Sequence, residues 1–152
     1  MAAYYLDASA AVKGYAAEQG SRRIVRLIEE GADLELYLSR GGVVEIAAAL
    51  FGKVKTGELE PEQAASAVAL LREDASAVYR VIELEPATAE RAIEVADRHR
   101  LRAYGCLQLA TALLLREQRD ALGLAPLNLV SSDAELNAAA QSEGLAVEDP
   151  AL

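Results

Sequence analysis

Met1-Ala2-Ala3-Tyr4-Tyr5-Leu6-Asp7 is an apolar run that stops at a carboxylate, and Ala8-Ser9-Ala10-Ala11-Val12-Lys13 follows at once with helical character. A strand that turns directly into a helix puts its last charge at the carboxyl edge of a sheet. In open α/β sheets that edge is where ligands bind. The same arrangement recurs at Leu127-Asn128-Leu129-Val130-Ser131-Ser132-Asp133, where an apolar strand again ends beside an acid. Two acids at equivalent sheet edges predict an α/β fold with a divalent-cation site between them.

Reading outward, strand and helix patterns alternate, which predicts one domain over residues 1–152 with a mostly parallel central sheet flanked by helices. Strands are expected at 1–6, 34–38, 78–84, 127–130 and 145–147. Ser21 offers an N-cap to an amphipathic helix through Ile24, Leu27 and Ile28 that stops at Gly31. Further helices are expected at 8–15, 43–55 (closed by Gly57), 61–75 (opened by Pro61), from Pro86 or Thr88 to about Arg100, at 104–118 and at 134–142. No repeat, low-complexity segment or long linker divides the chain.

Hydrophobic residues make up 53% of the 152, enough to build a substantial core. No apolar run approaches the roughly 18–20 residues that span a bilayer, and the N-terminus lacks the layout of a signal peptide. The single cysteine, Cys106, forms no internal disulfide. A cytoplasmic location with no membrane partner is expected. The net charge of -9 has the wrong sign for holding nucleic acid by bulk electrostatics, so nucleic-acid chemistry here needs a local basic rim or bound cations. A solubilising acidic surface accounts for the charge equally well.

Asp7 and Asp133 each suit a helix N-cap as well as a metal site. Glu45 is harder to place as an ordinary surface acid. It sits in Gly42-Val43-Val44-Glu45-Ile46-Ala47-Ala48-Ala49-Leu50, a helix apolar almost all round. Such helices are expected to be buried, and an ionised carboxylate there needs a partner. Either Arg40 pairs with it, or Asp7, Glu45 and Asp133 converge on one cation. Hard oxygen donors select Mg²⁺ or Mn²⁺ over zinc. His99, the only histidine, reads as a surface cation at a helix end. No phosphate-binding glycine loop is present.

With these residues in place, the chain resembles the PIN-domain ribonucleases, particularly the VapC-type toxins of toxin–antitoxin modules, in four segments along its length. YYLDASAAVK carries the first acid at Asp7, SRGGVVEIAAAL the second at Glu45, and LVSSDAELNAAAQSEGLAVEDP the last at Asp133. LRAYGCLQLATALL resembles the third segment, but Gly105 stands where the family usually has Asp. Gly41-Gly42 is a milder departure.

The resemblance implies that the acids hold Mg²⁺ or Mn²⁺ for hydrolysis of RNA, with Ser9 positioning either the first acid or a metal-bound water. Nearby Lys13 and Arg40 are candidate phosphate contacts. It also implies a homodimer and an antitoxin partner that neutralises the acids. The loss of an acid at Gly105 implies reduced or absent cleavage on an intact fold. Two functions follow: an impaired metal-dependent endoribonuclease, or a PIN-fold module that only binds RNA or an antitoxin.

Overall fold

The computed structural model covers residues 1–152. Its sheet is built around β1 (Ala3–Leu6), which pairs in parallel with β2 (Glu35–Ser39) on one side and with β4 (Leu127–Val130) on the other. The strands β3 (Arg80–Ile82) and β5 (Ala146–Glu148) complete the order β3-β2-β1-β4-β5. Every pairing is parallel, so the sheet is wholly and not just mostly so. All five strands therefore end on the same edge.

Seven helices cover its faces: α1 (Ala8–Ala11), α2 (Ser21–Glu29), α3 (Arg40–Lys55), α4 (Pro61–Ala77), α5 (Pro86–His99), α6 (Ala103–Ala121) and α7 (Ala134–Ser142). Successive side chains of a strand point to opposite faces, and the core divides accordingly. Ala3 and Tyr5 of β1 and Leu127 and Leu129 of β4 pack with α5, α6 and α7. Leu6 and Val130 pack on the other face with α1, α2, α3 and α4. Because helices cover both faces, the central strand β1 is wholly apolar, as buried parallel strands usually are, and polar residues such as Glu35 and Arg80 stand at the starts of β2 and β3.

Several boundaries differ from the sequence expectation. The first helix lasts only to Ala11 and continues as a 3-10 turn over Val12–Gly14. Gly20, at φ 96°, occupies the cap position of α2, and Ser21 is already helical. Its hydroxyl instead links Glu18 N–H and the Ala16 carbonyl. The helix α3 begins at Arg40, taking Gly41 and Gly42 into its first turn. The β-branched stretch at 78–84 yields a strand of only three residues, because α4 extends to Ala77.

One part-buried ion pair ties the end of α6 to the start of β2. The Arg119 guanidinium, 3% exposed, donates to the Glu35 carboxylate, to Tyr37 Oη at 3.0 Å, and to the Ala125 carbonyl at 3.1 and 3.0 Å. Arg119 holds the Glu35 carboxyl below its ordinary range against the opposing effect of burial. Removing one partner of such a pair strands the other charge. Arg119→Ala is expected to lower unfolding free energy by about 3–5 kcal/mol, measured by urea denaturation at neutral pH. A depressed carboxyl stabilises above its unfolded pKa and ceases to do so as pH falls. The difference between Arg119→Ala and the parent is therefore expected to shrink in acid.

Candidate functional site

The strand ends of β1 and β4 are stitched together at the carboxyl edge. Asp7 N–H donates to the Val130 carbonyl at 3.0 Å, carrying the ladder one residue beyond β1. The Asp7 carboxylate then caps α1. Its Oδ2 accepts from Ser9 N–H at 3.3 Å, Ser9 Oγ at 2.6 Å and Ser131 Oγ at 3.4 Å. Ser9 Oγ in turn accepts from Ser132 N–H at 3.0 Å, and Ser131 Oγ accepts from Asp133 N–H at 3.1 Å. Asp133 caps α7, its Oδ1 accepting from Glu135 and Leu136 N–H at 3.0 and 3.1 Å.

Capping and facing a ligand are thus compatible for both aspartates. The contacts on Asp7 fall on Oδ2 and the capping contacts on Asp133 fall on Oδ1. Ser9 lies where the sequence reading placed it, against the first acid. Ser131 and Ser132 do not share in the cap of α7. The first bridges the two loops, and the second donates to Asp149 at 2.9 Å.

Glu45 enters from α3. That helix is positioned by Ser39, whose hydroxyl caps it through Gly42 N–H at 2.8 Å. Ser39 Oγ also accepts from Gln108 Nε2 of α6 at 2.9 Å, and Gln108 Oε1 accepts the hydroxyl of buried Tyr5. A chain of hydrogen bonds therefore joins β1, α6 and the start of α3. The expectation that α3 is buried all round does not hold, since Val44 and Phe51 are exposed. Glu45 is only half-buried as a residue, yet its Oε2 is buried and has no hydrogen-bond partner.

Arg40 does not relieve this carboxylate. It pairs at the surface with Glu83, with nitrogens at 2.6 and 3.0 Å. A tertiary acid 43 residues away in sequence outcompetes a neighbour on the same helix. Lys13 is also paired with an acid. It is buried, lies 3.5 Å from Glu18 and does not line the cleft that holds the three acids. His99 is mostly buried and contacts Glu143 at 3.2 Å instead of standing free at the surface.

Asp7, Ser9, Glu45, Gly105 and Asp133 all line one cleft of about 520 Å³. Burial pushes the Asp7 carboxyl above its ordinary range, against the Ser9 hydrogen bonds that favour its charge, and Asp133 pushes it further. Glu45 is raised for the same first reason, then by the negative charge of Asp7 and Asp133. The acids thus repel one another across the cleft. They do not form a ready-made set of three ligands around one point, so the expected convergence is looser than inferred. An orphaned buried oxygen among mutually repelling carboxylates still fits a hard cation, and Mg²⁺ commonly uses only one or two carboxylates with water.

Gly105 lies in the first turn of α6 and forms part of the cleft wall. A Cβ there would meet Leu101 Cβ at 3.4 Å, an ordinary contact. The fold therefore has room for a side chain at this position. Sequence reasoning missed Glu135, Arg102 and Tyr104, which also line the cleft. All three lie inside segments already singled out, beside the residues that drew attention.

Two outcomes are expected. Gly105→Ala should raise stability by about 0.5–1 kcal/mol, since glycine costs that much inside a helix; chemical denaturation measures it. For Glu45, a carboxyl raised in the folded state destabilises above its folded pKa and is neutral in effect below its unfolded pKa. Glu45→Gln should therefore raise Tm at pH 7 and match the parent near pH 4, and an equal Tm difference at both would contradict the burial of its charge.

The model of the PIN domain family matches residues 4–142. No curated protein sequence matches the chain. Among solved structures, PAE2754 from Pyrobaculum aerophilum superposes with a TM-score of 0.64 at 22% identity, over 96% of this chain and 83% of that one. FitAcB from Neisseria gonorrhoeae gives 0.61 at 18% identity, covering 97% of each. VapBC2 from Rickettsia felis, solved bound to a DNA fragment from its promoter, gives 0.60 at 11%, over 95% and 96%. At these identities the structures speak for the fold alone, and it is the match of the family model over nearly the whole length that makes this chain a member of the PIN domain family.

Proposed function

We propose that this chain is a divalent-metal-dependent endoribonuclease, the toxin of a toxin–antitoxin pair, whose cleavage is curtailed by Gly105. The observation that carries the reading is the buried, unpartnered Oε2 of Glu45 in the same cleft as Asp7 and Asp133. Membership of a family whose domains are generally nucleases supports it. The resemblance of the four segments around Asp7, Glu45, Gly105 and Asp133 to VapC-type toxins supports an antitoxin partner. A homodimer working in the cytoplasm completes the proposal.

Asp7, Glu45 and Asp133 would hold Mg²⁺ or Mn²⁺, a choice set by their hard oxygen donors. When bound, the ion supplies Lewis acidity and lowers the pKa of water for attack on a phosphodiester. The chain's own contribution is placement. Ser9 and Ser131 fix the Asp7 carboxylate by one oxygen, and the amides of α7 fix Asp133 by one oxygen. The hydrogen bonds from Tyr5 through Gln108 to Ser39 set the start of α3, and with it Glu45.

What Gly105 removes is a fourth anion from the cleft wall. Misplacing a reacting group by about 1 Å costs on the order of a hundredfold in rate. The same gap supports a second reading, a PIN-fold module that binds RNA or an antitoxin without cutting.

One comparison separates them. RNA cleavage with Mg²⁺ and Mn²⁺ is measured for the parent, for Gly105→Asp, and for Gly105→Asp with Asp7→Asn. The impaired-nuclease reading expects weak parental activity, a gain on the order of a hundredfold in the single variant, and its loss in the double. No cleavage by any of the three favours the binding module. Strong parental cleavage that survives Asp7→Asn overturns the assignment of the acids.

A further inference from the structure

An RNA strand approaching a chain of net charge -9 must find positive charge locally. Eight of the fifteen lysines and arginines are already paired with acids, and five of the other seven line neither the acid cleft nor the groove beside it. Arg100 and Arg102 differ. Both are exposed and neither takes part in an ion pair. They flank Leu101 in the link between α5 and α6.

Their positions relative to the acids are specific. Arg102 lines the cleft that holds Asp7, Glu45 and Asp133. Arg100 lines an open groove of about 400 Å³ that shares Leu101 and Glu135 with that cleft. The two hollows adjoin, so a strand leaving the acids across Leu101 meets Arg102 and then Arg100.

The backbone supplies an independent observation. Arg100 is the one residue other than glycine with positive φ, at φ 56° and ψ 36°. It ends α5 in the left-handed conformation, its N–H bonded to the Ala96 carbonyl at 2.9 Å. Glycine usually fills such a helix-ending position because a Cβ is strained there. A long cation held where glycine would be relaxed is the kind of strain that collects at functional sites.

We infer that Arg100 and Arg102 grip backbone phosphates of the RNA strand and set its exit path from the acid cleft. The guanidinium fork matches a phosphate with two parallel hydrogen bonds. Contacts of this kind fix register without reading bases. Glu135, the acid common to both hollows, opposes the grip and keeps the strand to the arginine side. The inference rests on the reading of the cleft as a nuclease site, but not on whether this chain cuts.

The test is equilibrium binding of a single-stranded RNA oligonucleotide, followed by fluorescence anisotropy over a KCl series in EDTA, where no metal-dependent cleavage occurs. The slope of log K against log salt should become shallower by about 0.7 in each of Arg100→Gln and Arg102→Gln. Arg72→Gln, at an exposed and unpaired arginine lining a separate groove beside Arg40 and Val43, should leave it unchanged. Glu135→Gln should tighten binding.

Arg100→Gly separates function from fold. It should raise Tm by relaxing the backbone while weakening RNA binding as much as Arg100→Gln does. Unchanged slopes in the cleft variants, an equal loss in Arg72→Gln, or no measurable RNA binding by the parent at the lowest salt overturns the inference. Shallower slopes without cleavage by any Gly105 variant would leave the phosphate grip standing while the nuclease reading fell. Cleavage with unchanged slopes would do the reverse.

Discussion

Parallel strand order brings the carboxyl ends of β1, β2 and β4 side by side, and each of those ends leads within a few residues to an acid or to the helix that carries one. Burial raises the proton affinity of Asp7 and Glu45 there, and the neighbouring acids raise it further. Such an arrangement survives only if something holds the charges apart and in place. Two serines do this for Asp7, and helix amides do it for Asp133. The rest of the molecule can be understood as the frame for that arrangement. Two apolar layers press seven helices onto the sheet, and the Tyr5, Gln108 and Ser39 contacts align three of its elements at the site.

The sequence carried the fold because β1 and β4 are short apolar runs closed abruptly by acids, and α7 opens on a conventional cap. Those three elements lie close to where periodicity puts them. The ends of α3 and α4 were harder to read. Gly41 and Gly42 look like a break, yet the Ser39 cap and packing on the core carry the helix through them. At Val78 and Tyr79, β-branched and aromatic composition suggested strand, while continuation of α4 and its closing turn won locally.

Among the candidate site residues, Asp7, Glu45 and Asp133 stand out in the sequence because each breaks a local apolar pattern, whereas Ser9 is marked only by the resemblance of its segment. The reason given for Glu45 was only half right: its helix is exposed along one side, and burial belongs to one carboxylate oxygen instead of the whole turn. Partners of long charged side chains were not legible at all. Arg40 reaches Glu83 and Lys13 reaches Glu18, contacts decided by tertiary approach and not by spacing. Arg100 was invisible for another reason, since nothing in its chemical identity announces a left-handed backbone.

The central place of β1 also has a consequence in time. Asp7 and its nearest partner Ser9 appear early in synthesis, but the rest of its seat comes much later: Ser131 lies 124 residues on, and the β1–β4 register joins Ala3 to Leu127. Contacts of such sequence separation form late. A nascent chain still short of β4 has its first acid and Glu45 but no seat for either in the finished cleft. The last acid arrives only with Asp133. Assembly of the acidic centre is thus deferred until β4 and Asp133 have both been made.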